Sequence, residues 1–184
     1  MTIWNIARAC KGHLAVPAGK HTGTCPAAGM AVIRGYSGKE AAGIVIDSRK
    51  VEPGDIFVAI RGERVDGHQF IREVFDKGAI AVVCEEEPEE LPGPCIRVED
   101  SLAALRQIAA FYREQMPIPI VGITGSVGKT STKEMISSVL EQKYSVHKTA
   151  GNFNNEIGLP LTIFGIRESH QVAVLEMGIS DFGE

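Results

Sequence analysis

Apolar and polar positions alternate along this chain with periods that change several times, and each change marks an element. Apolar residues at helical spacing predict a short helix from Thr2 to about Cys10. Residues 11–42 are rich in Gly, Pro and small polar groups and predict no regular element. Gly43-Ile44-Val45-Ile46 reads as a strand, and Asp55-Ile56-Phe57-Val58-Ala59-Ile60 as a second one after the turn signal Pro53-Gly54. The period then becomes helical. Asp66 with Gln69 three residues later has capping-box spacing, Phe70, Ile71, Val74 and Phe75 form a stripe, and Gly78 ends it. Ala79-Ile80-Ala81-Val82-Val83-Cys84 has the unbroken apolar character of a buried strand, and the acidic, proline-containing residues 85–94 read as a solvated loop. Cys95-Ile96-Arg97-Val98 predicts another short strand. Ser101 opens a helix with Leu102, Leu105, Ile108, Ala109 and Tyr112 on one side.

Met116-Pro117-Ile118-Pro119 is a stiff connection, because each proline lacks an amide donor and biases its predecessor toward extended geometry. It sets the expected domain boundary: 1–115 and 116–184. Past it come a strand at Ile120-Val121-Gly122-Ile123-Thr124, a glycine-rich turn, a helix from Thr130 to about Gln142, and strands at 144–148 and 172–175. Alternating β and α segments imply a parallel sheet with helical crossovers. The expected fold class is therefore α/β, a small N-terminal α/β domain followed by the first part of a parallel-sheet phosphate-loop domain. No internal repeat is visible.

Composition narrows the function classes. With 184 residues, 44% hydrophobic and 23% charged, the chain can bury a substantial core. A formal net charge of -4 gives no basic field for nucleic acid or an anionic membrane, so a bound anion must be held by local geometry. Cys10, Cys25, Cys84 and Cys95 lie far apart with no Cys-x-x-Cys pair, which points to neither a zinc site nor a redox dithiol and fits a reduced cytoplasmic compartment. The segment Met1-Thr2-Ile3-Trp4-Asn5-Ile6 lacks signal-peptide features, and no apolar run approaches the ~20 residues of a membrane span, so a cytosolic protein without membrane insertion is expected.

The chemistry concentrates in Gly125-Ser126-Val127-Gly128-Lys129-Thr130, with Ser131 following. A strand, a glycine turn and a helix N-terminus aim backbone amides at one small volume suited to polyphosphate. Gly125 and Gly128 admit phosphate oxygens without a Cβ clash, Lys129 brings a mobile cation, and the Thr130 hydroxyl suits Mg²⁺. The commonest form of this loop has glycine where Ile123 stands, so the glycines at 122 and 125 mark a variant. Glu176 closes the apolar run Val172-Ala173-Val174-Leu175, at a strand end where an oxygen ligand for Mg²⁺ is needed. Plainer readings stand beside these: Thr130 or Ser126 as a helix cap with Lys129 facing water, and Glu176 as a surface acid.

The run from Thr124 to Glu134, the run Lys148-Thr149-Ala150-Gly151-Asn152-Phe153-Asn154-Asn155-Glu156-Ile157-Gly158-Leu159-Pro160-Leu161-Thr162 and Leu175-Glu176-Met177-Gly178 together resemble the Mur ligases. Within that family the Gly-Asn-Phe-Asn-Asn segment is most similar to the branch that joins D-alanyl-D-alanine to UDP-MurNAc-tripeptide. The segment from Asp47 to Gly62, with Asp66-Gly67-His68-Gln69-Phe70, resembles the domain that holds the UDP part of that substrate. The resemblance spans roughly 43 to 184. It implies ATP and Mg²⁺, an acyl phosphate on the tripeptide carboxylate, and attack by the amine of D-Ala-D-Ala. It assigns Lys129, Asn152 and Glu176 to catalysis, residues 125–131 to ATP, and Thr130 with Glu176 to the metal. Ser48, Arg49, Asp66, His68, Thr149, Asn154 and Asn155 would contact substrate. The local alternatives are that Asp66 only caps a helix, that His68 is packed, and that the Asn-rich loop satisfies its own backbone.

Full ligases of this family continue further, with a later histidine metal ligand, a carbamylated lysine, the adenine contacts and the D-Ala-D-Ala site. The resemblance thus implies a fragment that does not catalyse ligation alone, with sheet edges and apolar faces left open to association. Three other readings compete: the sister ligase that adds the third peptide residue, a nucleotide-sugar-binding module without catalysis, and a generic phosphate-loop kinase, which leaves residues 43–70 unexplained. Oligomeric state is not legible.

Overall fold

The computed structural model describes residues 1–17, 35–36, 38–62 and 65–178, so Cys25 and residues 179–184 lie outside it. The chain divides into two compact units, 1–108 and 109–184.

In the first unit, helix α1 (Ile3–Ala9) starts where the Thr2 hydroxyl accepts from the Asn5 amide at 3.2 Å, and it buries Ile3, Ile6 and Ala7. A five-stranded sheet follows, built from β1 (His13–Ala15), β2 (Ile44–Val45), β3 (Ile56–Val58), β4 (Ala81–Cys84) and β5 (Cys95–Arg97). Its order is β1-β5-β4-β3-β2. Strands β2 to β5 run parallel, and β1 adds antiparallel to β5 with Leu14 opposite Ile96. All four residues of β4 are buried, as its unbroken apolar run requires of a strand covered on both faces. A 3₁₀ turn (Gly67–Phe70) leads into α2 (Ile71–Asp76), which ends at Gly78 with φ 99. Phe57, Ala59, Ile71, Val74, Val82, Cys84 and Cys95 form one core cluster. Helix α3 (Ser101–Glu114) buries Leu105, Ile108 and Ala109, as its stripe predicts. It opens at Ser101 as expected; the Ser101 amide donates to Glu85 at 3.0 Å, and the next two, at Leu102 and Ala103, donate to Asp100.

The second unit holds a parallel sheet of β6 (Ile120–Ile123), β7 (Val146–Lys148) and β8 (Val172–Glu176) in the order β6-β8-β7. Helix α4 (Lys129–Leu140) joins β6 to β7, and α5 (Gly158–Phe164) precedes β8. Ile166, Ala173 and Leu175 form its core, covered by Tyr112, Met116, Ile118, Ile120, Leu159 and Ile163. The proline-rich connection therefore packs within this unit, and the Tyr112 hydroxyl donates to the Ile166 carbonyl at 2.7 Å. Helix α4 is unusual in that its buried residues are Lys133 and Ser137, while Met135 and Val139 stand 71% and 73% exposed. Among the described residues, no helix is long and apolar enough to cross a membrane. Strand β1 and helix α5 have no counterpart in the periodicity; both depend on partners distant in sequence.

Candidate active site

Strand β6 ends at Ile123, and the chain turns through Gly125 (φ 138) and Gly128 (φ 77) into α4. Both angles lie where a Cβ is strained, which accounts for glycine at these two positions. Gly122 has a different task. It lies inside β6, where a Cβ would stand 2.7 Å from the Met177 methyl, so it is a packing glycine and not part of the loop as the sequence suggested. No side chain caps α4, which leaves its first-turn amides, including those of Lys129, Thr130 and Ser131, aimed at the mouth of the loop. Ser126 and Val127 are exposed at the tip. The Lys129 ammonium folds back on the Gly125 carbonyl at 2.8 Å.

The Thr130 hydroxyl does not cap the helix. It lies 3.1 and 3.0 Å from the two carboxylate oxygens of Glu176, at the end of β8. Asn154 donates its side-chain amide to Glu176 Oε1 at 2.8 Å. Glu176 is only 2% exposed, so it is not a surface acid. Its own amide donates to the Thr149 hydroxyl at 2.9 Å, and the Thr149 carbonyl accepts from the Lys133 ammonium at 2.8 Å. Thr149 is thus buried behind Glu176, in a supporting position. Asn155 Oδ1 accepts from the Gly158 amide at 2.7 Å and steadies the start of α5, while Asn152 sits exposed in the preceding turn. The structure brings together Thr130, Thr149, Asn154 and Glu176 beside the loop. Lys133 belongs with them and was passed over in the sequence. Its place one turn along the helix from Lys129 is visible in the sequence, but its burial against Thr149 and Glu176 is not.

A hydroxyl and a carboxylate within about 3 Å form a hard-oxygen donor pair that suits Mg²⁺. Among the described residues, no cluster of three His, Cys, Asp or Glu side chains could hold a metal alone. A cation held by Thr130 and Glu176 would complete its shell with phosphate oxygens and water, as Mg²⁺ commonly does.

The first unit contains the other candidates. Ser48 is buried in the 3₁₀ turn Ser48–Lys50, and its carbonyl accepts from Lys77 Nζ at 2.9 Å. Arg49 is exposed and grips Asp47 with both arms of its guanidinium, at 2.9 and 2.8 Å, while its amide also donates to Asp47. These bonds, the side-chain ones first, hold the Asp47 carboxyl down to about 2. Asp66 Oδ1 accepts from the His68 amide at 2.9 Å and lies 2.6 Å from His68 Nδ1; the amide bond is the main cause of its lowered pKa. His68 Nε2 accepts from the Glu85 amide at 2.9 Å. Both ring nitrogens are therefore engaged, with the proton on Nδ1, and His68 braces the end of β4 against the Asp66 turn. Arg61 reaches Asp66 at 3.3 Å and Glu86 at 2.6 Å.

A parallel sheet feeding a glycine turn and an uncapped helix, with hydroxyl and carboxylate meeting at the helix mouth, defines a phosphate-loop α/β protein. Within that class the comparisons are specific. Residues 40–113 match the Mur ligase family catalytic domain, and residues 123–184 match the Mur ligase middle domain. The chain belongs to the Mur ligase family. It is 42% identical over 188 residues to the UDP-N-acetylmuramoyl-tripeptide--D-alanyl-D-alanine ligase of Bacillus subtilis, covering 100% of this chain and 37% of that protein. It superimposes with a TM-score of 0.78 and 34% identity on MurF from Acinetobacter baumannii, covering 100% of this chain and 36% of that one. MurF ligase from Thermotoga maritima, solved in complex with ADP, gives a TM-score of 0.67 and 40% identity over 76% of this chain and 32% of that one. The chain thus spans about a third of the length of these relatives.

Proposed function

We propose that this chain carries the substrate-binding domain and the phosphate-loop portion of a cytoplasmic, ATP-dependent ligase that joins D-alanyl-D-alanine to UDP-MurNAc-tripeptide. In this reading residues 1–115 hold the UDP-linked precursor and residues 116–184 form part of the ATP domain. One observation carries it: the Thr130 hydroxyl and the Glu176 carboxylate meet at the mouth of the uncapped helix that follows the loop. The names of the relatives and the ADP in the Thermotoga structure support it.

Phosphoryl transfer asks a protein mainly for positioning and charge neutralisation. The amides of residues 125–131 orient the β and γ phosphates, and Lys129 leaves the Gly125 carbonyl to pair with them. Thr130 and Glu176 hold Mg²⁺, which when bound neutralises phosphate charge. Asn154 steadies Glu176 from the side, and exposed Asn152 is free to approach the γ-phosphate. In the other domain exposed Arg49 leaves Asp47 to offer its guanidinium to an anion, Ser48 shapes the turn that carries it, and Asp66 with His68 shapes a second turn. Ligation follows once the tripeptide carboxylate takes the γ-phosphoryl group of ATP, releasing ADP, and the dipeptide amine attacks the acyl phosphate and expels phosphate, steps that draw on the full length of the relatives.

Two titrations test this reading on the chain: a fluorescent ATP analogue with Mg²⁺ or with EDTA, and UDP-MurNAc-tripeptide. We expect Mg²⁺ to tighten nucleotide binding, Lys129→Ala to weaken it at least tenfold, and Glu176→Gln to erase the Mg²⁺ effect. Nucleotide binding that ignores both Lys129 and Mg²⁺ refutes the reading.

A further inference from the structure

We propose that Lys133 is a positioning residue, whose buried ammonium ties α4 to the ends of β7 and β8 and so holds Glu176 in place for the metal. This inference rests on the nucleotide-binding reading above and deepens it.

Lys133 is 1% exposed, among the most buried side chains of the chain. Desolvating an ammonium is strongly unfavourable unless oxygens replace the lost water. Three do, from three segments: the Thr149 carbonyl after β7 at 2.8 Å, Glu134 Oε1 on the same helix at 3.2 Å, and Glu176 Oε2 at the end of β8 at 3.9 Å. Thr149 is the pivot. Its carbonyl faces Lys133, its hydroxyl accepts from the Glu176 amide, and its amide donates to the Val174 carbonyl at 3.1 Å. Lys133 therefore reaches Glu176 twice, directly through charge and indirectly through the backbone that Thr149 fixes.

Location makes this more than packing. Lys129 and Lys133 lie one turn apart on α4; the first faces the loop mouth and the second lies beneath it. Methionine would fill the buried space with a similar length of side chain but could neither donate to the Thr149 carbonyl nor balance Glu176. Outer partners that orient a ligating carboxylate typically change metal affinity by about 10- to 100-fold when removed.

The test compares the affinity of a fluorescent ATP analogue with excess Mg²⁺ and with EDTA, in the wild-type chain and three variants. Lys133→Met is expected to cut the Mg²⁺ enhancement about tenfold while leaving metal-free affinity within about twofold. Thr149→Val, which removes only the hydroxyl, is expected to lose part of the enhancement. Glu134→Gln is expected to keep it, since Glu134 touches Lys133 but not Glu176. A folded Lys133→Met with full enhancement overturns the proposal, as does equal weakening with and without metal. If Lys133→Met fails to fold, Lys133→Gln, which keeps a donor but loses the charge facing Glu176, decides, and unchanged enhancement there overturns it. A wild-type chain that binds no nucleotide overturns the function reading and this proposal together, whereas normal wild-type enhancement with unaffected variants overturns this proposal alone.

Discussion

The loop at residues 125–128 and the strand end at Glu176 face one volume, yet they are built in opposite ways. The loop is exposed, shaped by two positive-φ glycines, and offers backbone amides. Glu176 is buried and held by side chains from two segments: Thr130 and, through Thr149, Lys133 on α4, and Thr149 and Asn154 in the loop after β7. The loop's geometry is thus local, and changes there should alter binding without altering the fold. The carboxylate's geometry is collective, so changes around it should alter both.

Gly128→Val gives the largest expected effect. A β-branched residue at φ 77 is strained and closes the approach to phosphate. Nucleotide affinity should fall at least about 100-fold, or roughly 2.7 kcal/mol, by fluorescence titration. The backbone strain should lower the melting temperature as well, so the contrast rests on affinity falling by more than the stability loss accounts for; an affinity loss no larger than that of Gly158→Ala would break it. Gly158→Ala attacks the other side. A Cβ there would lie 2.5 Å from Phe153 Cα and 2.6 Å from its carbonyl carbon, so the segment bearing Asn154 must shift. We expect about 1–3 kcal/mol of lost stability in chemical denaturation, together with a weaker Mg²⁺ effect.

Acidification should loosen the second unit next. Burial lowers the pKa of His147 from 6.5, against the opposing bond to the Thr162 carbonyl, so the folded state keeps it neutral. The folded state then binds fewer protons than the unfolded one. That contribution is complete above about 6.5 and is lost as pH falls from there through the lowered value. Melting curves should show the decline, and His147→Gln should flatten it. The smallest effect is local to the first unit. Asp47, held down to about 2 mainly by the Arg49 side chain, should stay ionised through the usual carboxylate range in a ¹³C NMR pH titration, and Arg49→Ala should raise its midpoint.

The sequence showed the loop because its parts are contiguous, and it showed Glu176 because a carboxylate closing an apolar run is a local signal. Helix α5 was hidden by its own start. Gly158 and Pro160 discourage a helix on propensity alone, but proline is tolerated in a first turn, and Asn155 satisfies the Gly158 amide. Strand β1 has three residues and exists through its pairing with β5, which no local pattern encodes. Lys133 was illegible for a related reason. A lysine on a helix reads as solvent-facing until the residues packed against that face are known, and Thr149 and Glu176 lie 16 and 43 positions away. The engagement of both His68 nitrogens likewise depends on Glu85, 17 residues downstream.

Strand β8 runs between two parallel neighbours, with Ile123 of β6 opposite Glu176 and Lys148 of β7 opposite Val174. Side chains along a strand point alternately up and down, so sliding β8 by a single residue would turn the acid to the far face of the sheet. The aim of this carboxylate is inherited from two hydrogen-bond ladders, and inserting or deleting one residue within β8 should disarm the site with every functional side chain still in the chain.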